Sequence, residues 1–149
     1  MRLSFTGAPE ITSPRAMVWE RLMDPQFVAK SAPGVERVDV IDATHFKVIT
    51  AFGVGSIKLK FSMNVELQDV DPPNGLTMKA RGQAPGSAVE VAAHLKLEAV
   101  SSNLTRLDWK ADTDVSGTVA SVGARLLEGT ARRLTDQFWK DFAAAASAA

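Results

Sequence analysis

The chain has 149 residues, 17 basic side chains balanced by 17 acidic ones, and no cysteine. That balance offers no bulk field to draw nucleic acid or acidic lipid, and the missing thiols exclude a disulfide framework, a cysteine nucleophile and thiolate metal ligation. The length suits one domain with its own core; Met1 to Thr6 lack the apolar core of a signal peptide, and no run approaches the roughly 20 apolar residues of a membrane span. A cytoplasmic protein is the expectation.

Arg2 to Ile11 reads as a first strand with Leu3, Phe5 and Ile11 in one phase. Pro9 lacks a ladder donor and implies an edge position or a bulge. Thr12-Ser13-Pro14-Arg15 reads as a helix start, a hydroxyl cap with proline at the first helical position. Met17, Val18 and Leu22 follow at helical spacing, with Arg21 near the edge of that face. Asp24-Pro25 starts a second short helix through Phe27 and Val28, and Pro33-Gly34 stops it.

Strands come next. Val35 to Ile41 leads to His45–Phe52, where Phe46, Val48 and Phe52 share a face, and Gly53-Val54-Gly55 turns the chain. From Ile57 to Gln68, apolar Ile57, Leu59, Phe61, Met63, Val65 and Leu67 alternate strictly with polar residues. Asp71-Pro72-Pro73-Asn74-Gly75 is a turn, since proline presets φ and Asn-Gly accepts positive φ. Leu76, Met78 and Ala80 continue inward, Ala84-Pro85-Gly86-Ser87 turns, and Val89, Val91, Ala93, Leu95 and Leu97 form another row. Leu107, Trp109, Ala111 and Val115 complete the series with Asp108, Lys110, Asp112 and Asp114 on the other face.

The period then changes from 2 to 3.6. Thr118 to Phe142 reads as one amphipathic helix with Val119, Val122, Leu126, Ala131, Leu134, Phe138 and Phe142 on its apolar side, and Arg125, Glu128, Arg132, Asp136 and Lys140 opposite. The Ala-rich stretch 143–149 reads as a frayed tail to a domain of residues 1–142. A sheet with one apolar face must cover it, and this helix is the only element long enough to do so. Helix on sheet can enclose a cavity, which points to an apolar ligand.

Catalytic chemistry finds little support. His45 and His94 fall in outward phases, without ligand-spaced partners for a metal. No serine sits in a nucleophile elbow, and Asp112 and Asp114 read as solvated charges. Gly53-Val54-Gly55 lacks the lysine and following helix of a phosphate loop. Gly123 and Gly129 interrupt the helix, either for close packing or to leave room for a ligand. Inward phases offer only Thr113, Thr130 and, at the edge, Arg21 as polar groups. No catalytic and no metal residue is expected. The expected ligand-binding set is Phe27, Phe46, Phe61, Met63, Met78, Trp109, Leu126, Thr130 and Leu134. The mouth is expected at Gly53, Val54, Gly55, Pro85 and Gly86, where glycine lets a turn move.

Several blocks carry a family resemblance. Pro14-Arg15-x-x-Val18-Trp19, Asp24-Pro25, Ala32-Pro33-Gly34-Val35-Glu36 and Gly53-Val54-Gly55, followed by Ser121 to Leu126 and Leu134-Thr135-Asp136-Gln137-Phe138-Trp139, resemble the G-subunit family of carbon monoxide dehydrogenase. That family belongs to the START-like (SRPBCC) superfamily of hydrophobic-ligand proteins. The resemblance implies an α+β helix-grip fold, a curved antiparallel sheet of about seven strands around a long C-terminal helix, with two short helices after the first strand. It implies a non-catalytic accessory protein of a molybdenum hydroxylase complex, with no cofactor of its own but a bound quinone or other apolar small molecule, acting in membrane recruitment or electron hand-off at the inner face of the membrane. The alternative within the superfamily is an enzyme, a polyketide cyclase or hydratase. Members often carry a cysteine just before the Pro-Gly block, where Ser31 and Ala32 stand here. Some extend into a tail suited to membranes; the alanine tract gives no support to such anchoring.

Overall fold

Strict alternation makes each strand two-faced, and pairing such strands in register sorts all their apolar side chains onto one side. A computed structural model, describing residues 1–147, shows the result. Strands β1 (Arg2–Gly7), β2 (Glu10–Ile11), β3 (Val35–Asp42), β4 (His45–Val54), β5 (Ile57–Asp71), β6 (Gly75–Ala84), β7 (Ser87–Ser101) and β8 (Leu104–Gly117) form one antiparallel sheet. Its order is β1-β8-β7-β6-β5-β4-β3, with β2 also paired to β8. The sheet is open and curved, and β1 and β3 are its edges. Ala8-Pro9 separates β1 from β2 on one edge, where the missing proline N–H costs no ladder bond. The Pro9 carbonyl still accepts the Leu107 N–H at 2.9 Å.

Register places Val48, Met63, Gly82, Val89 and Val115 in one inward row. Leu67, Met78, Ala93, Ala111 and Phe5 form a second. Leu76, Leu95, Trp109 and Gly7 form a third. Gly82, Ala93, Ala111 and Gly7 are the small members of these rows, and Met63, Met78, Leu95 and Trp109 are among the bulky ones. The Met63 sulfur occupies the space beside Gly82 that a Cβ would take, so a side chain there would have to displace Met63.

Two short helices follow β2: α1 (Arg15–Leu22) and α2 (Pro25–Ser31). The second starts as its sequence implies, with Asp24 accepting from the backbone N–H groups of Gln26 and Phe27 and Pro25 at the first helical position. The first does not. Pro14 is its N-cap, no side chain caps it, and the Ser13 hydroxyl donates instead to the carbonyl of Ala146 at 2.6 Å. Its buried face is Val18 and Trp19, and Met17 points to solvent.

The expected helix over Thr118–Phe142 is two elements. Thr118–Val122 is a 3-10 turn, Gly123 breaks it with φ of +100°, and α3 runs from Ala124 to Ala146. A 3-10 turn advances a residue by a different angle from an α-helix. Of the expected apolar side only Leu126 misses: it is 45% exposed and Leu127, at 5%, is the core residue, while Val119, Val122, Ala131, Phe138 and Phe142 face the core. At the other end the alanines are ordered. Ala143 to Ala146 are helical, Ala146 is buried, and the hydroxyl of Ser147 donates to the Ala143 carbonyl at 2.7 Å. Alanine's high helix propensity and the contact with Ser13 account for this extension; residues 148 and 149 of the expected tail lie outside the described residues.

Candidate ligand-binding site

The core lies between the apolar sheet face, α3 and the two short helices. Phe61 is fully buried there, and Met63, Met78 and Phe27 pack against it partly buried. Phe27 meets Phe142 edge-on with centroids 5.9 Å apart. Phe46 is buried on the β4 side but outside the main cluster, and Leu134 is half-buried. The structure thus brings Phe27, Phe61, Met63, Met78 and Trp109 to one core and leaves Phe46 apart.

Thr130 is 4% exposed and faces inward from α3. With Leu126, Val122, Gly123 and Arg133 it also lines an open depression of about 600 Å³ at the N-terminal end of α3. Of the two turns expected at a cavity mouth, the one at Gly55 borders this depression, and the one at Gly86 lines a separate one with Ser87, Ser116 and Gly117. Gly55, with φ of +60°, lies against Leu126, and a Cβ there would stand 3.1 Å from its Cδ2. The Gly86 carbonyl accepts the Thr118 N–H at 2.8 Å. Each turn has two residues: Gly55-Ser56 closes on the pair Val54–Ile57, and Pro85-Gly86 on Ala84–Ser87. Proline followed by glycine at φ of +73° is the pattern of a type II turn. Gly53 and Val54 belong to β4 rather than to the turn, and Val54, 1% exposed, is core. Its inward phase decides this.

Gly123 and Gly129 have nothing within 4 Å of an added Cβ and are exposed. Close packing on the sheet does not explain them; both line the depression beside Leu126. Gly123 supplies a positive φ at a helix junction.

Polar groups fall into two sets. On the outside, His45 Nδ1 lies 2.9 Å from Asp42, and His94 Nδ1 lies 3.0 Å from the Thr77 hydroxyl. The Thr44 backbone N–H, then the His45 side chain, hold the Asp42 carboxyl below its usual value. Asp112 accepts from the Ser4 hydroxyl at 2.6 Å and faces Arg2 at 3.4 Å. Arg21 sits over the Phe27 ring, 5.1 Å from its centroid. Among the described residues, no group of three or more His, Cys, Asp or Glu is placed to hold a metal ion, and no helix is long and apolar enough to cross a membrane.

On the inside, one polar atom stands out. The Trp109 indole is 8% exposed, and its Nε1 is buried without a hydrogen-bond partner, alone in this among the described residues. A buried donor left unsatisfied costs about 1–3 kcal/mol. Trp139 of α3 stacks on this indole at 5.6 Å and 19°, and Phe138 and Phe142 flank Trp139 edge-on. The expected ligand-binding set omits Trp139, which packs on the core, although its spacing of three from Phe142 signalled a shared face.

A profile of the carbon monoxide dehydrogenase G-subunit (CoxG) family matches residues 7–147. The chain belongs to this family. None of the curated proteins matches the sequence of this CoxG family member. Among solved structures, a conserved protein from Geobacillus kaustophilus is 26% identical over 95% of this chain and 93% of that one, with a TM-score of 0.87. The Zhui aromatase/cyclase from a Streptomyces species covers 98% of this chain and 94% of its own, at 15% identity and a TM-score of 0.74. A START superfamily protein from Mycobacterium smegmatis covers 95% and 94%, at 7% identity and a TM-score of 0.72. The last two share the fold, which is the START-like helix-grip architecture.

Proposed function

We propose that this protein is a non-catalytic carrier of an apolar small molecule, an isoprenoid quinone, serving a molybdenum hydroxylase of the carbon monoxide dehydrogenase type at the inner face of the membrane. The observation that carries the reading is the inward face itself. Its central rows are built from Gly82, Ala93 and Ala111, with Met63 and Met78 beside them, under a helix that presents Thr130 there. Ala93 and Ala111 bring little side-chain volume beneath the helix, and methionine, as in Met63 over Gly82, adapts to irregular shapes. Leu126 against Gly55 marks the way in, because that contact joins one side chain to a glycine turn and can open without breaking a strand pair.

Family membership supports the partner, and the hydroxylase would supply or receive the electrons. The two histidines lie on the outer face, away from this space. The carrier therefore binds its quinone reversibly and returns the ring skeleton unaltered. Native mass spectrometry of protein purified from cells making its own quinones tests this. An adduct with the mass of a cellular quinone, released by solvent extraction, is the expected result. Protein that carries no extractable lipid and takes up no added decylubiquinone would sink the carrier reading. Turnover of an aromatic polyketide chain would favour the cyclase reading instead.

A further inference from the structure

We infer that the depression at the N-terminal end of α3 binds an oxyanion head, a phosphate ester or carboxylate, carried on an apolar chain. The inference goes beyond the carrier reading and does not depend on it, since a quinone has no charged head. Arg125, Gly129 and Arg133 follow one another at intervals of four, so they share a stripe of the helix, and all three line the depression. Among the described residues neither arginine has an ion-pair partner, and no carboxylate lines the depression. Glu128 pairs with Arg132 at 3.6 Å instead, and Asp136 lines a separate depression further along the helix. Two cations without a counter-charge thus meet in a molecule whose net charge is zero. Between them, Gly129 is exposed, and a Cβ there would meet nothing within 4 Å. Packing does not demand this glycine and helix propensity disfavours it. What its missing side chain provides is room between the two arginine positions.

The backbone adds donors. The ladder of α3 starts with the Leu127 N–H on the Gly123 carbonyl at 3.1 Å, so the N–H groups of Ala124, Arg125 and Leu126 precede it. Gly123 has no side chain to cap them, and no acidic residue occupies the first turn of this 23-residue helix. Such an end attracts negative charge. A second observation is independent of the helix end. Thr130 is 4% exposed and lines the depression from its inner side, and its hydroxyl makes no hydrogen bond to any described residue. Buried polar groups are normally paired, so this hydroxyl suits a polar atom of a ligand. Leu126, exposed beside these donors, gives the place an apolar surface as well. Neither an inorganic ion nor a plain hydrocarbon would use both surfaces.

Decyl phosphate and decanol, both as monomers, separate head from chain. Isothermal titration calorimetry of the full chain should show decyl phosphate bound at least about tenfold more tightly, the scale of one charge-assisted hydrogen bond. The double variant Arg125→Gln/Arg133→Gln should lose that preference. Lys79→Gln/Lys96→Gln, with the same charge removed from exposed positions on the sheet, should keep it. In wild type the amide resonances of Ala124 to Leu126 should shift further with decyl phosphate than with decanol, a reading that needs no variant to fold. Equal affinity for the two probes, equal shifts, or a preference that survives in the arginine variant would overturn the inference. Loss of the preference in the lysine variant would overturn it too. Flotation then names the source. Recovery with phosphatidylcholine vesicles containing phosphatidylglycerol, and not with phosphatidylcholine alone, assigns the head to a membrane lipid; decyl phosphate binding without flotation assigns it to a free amphiphile. Decylubiquinone uptake keeps the two readings apart: uptake without the phosphate preference removes this site alone, and the preference without uptake removes the carrier alone.

Discussion

At the scale of single residues, Asp112 shows how a surface carboxylate with no distinguishing sequence signal acquires a defined role. Ser4 on the edge strand donates to it, which is the largest influence on its titration; partial burial acts in the opposite sense and Arg2 adds a favourable charge. The result is a carboxyl held below its ordinary value of 3.8. A group depressed in the folded state stabilises the fold above its unfolded pKa, and that contribution is lost as pH falls through the folded value. The link between β1 and β8 should therefore hold through neutral and mildly acidic pH and weaken only below pH 3.8. Carbon-detected NMR titration should place Asp112 below that value in wild type and higher in Ser4→Ala. An unchanged titration in the variant would mean that the hydroxyl has no such influence.

At the scale of elements, the C-terminal end of α3 is held by the loop that precedes α1. The Ser13 hydroxyl, fully buried, donates to Ala146; the Thr105 hydroxyl donates to the Ser13 carbonyl at 2.8 Å; and Thr12 N–H donates to the Ser147 hydroxyl at 3.1 Å. These bonds tie a helix end, whose last carbonyls have no partner within the helix, to the sheet. Ser13→Ala should lower stability by about 1–2 kcal/mol, since it removes a buried bond and strands a carbonyl. Urea unfolding measures this directly. Hydrogen exchange should also quicken at Ala143 to Ser147, and unchanged protection there would show that packing of Phe142 alone holds the end.

At the scale of the molecule, the sheet is closed at one end by the aromatic group around Trp139 and met at the other by the N-terminal end of α3. The depression there, with Leu126 over Gly55 and Thr130 at its inner side, is the place where a bulky side chain should compete with a ligand. Thr130→Trp should cost about 1–3 kcal/mol of stability through overpacking. It should also reduce decylubiquinone binding at least about tenfold, on the scale of 1.4 kcal/mol per decade. Circular dichroism checks the fold and dialysis the affinity. A folded variant with wild-type affinity would move the binding place away from this end of the helix.

Much of this was legible in the chain itself. Strict alternation from Ile57 to Gln68, and the rows through Val89 and Trp109, determined which side chains face inward, because a strand has only two faces and the strands from β3 to β8 each pair with their sequence neighbours. Asp24-Pro25 and Pro85-Gly86 announced their cap and turn through local backbone chemistry. Only the tertiary structure decided that Leu127 rather than Leu126 enters the core, at the start of a helix whose later expected residues, Ala131, Phe138 and Phe142, do face inward. It likewise assigned Ser13 to a helix end 133 residues away, and left the Trp109 N–H over Gly7 without a partner. Those are contacts between residues distant in sequence, and no local propensity encodes which of them the closed fold brings together.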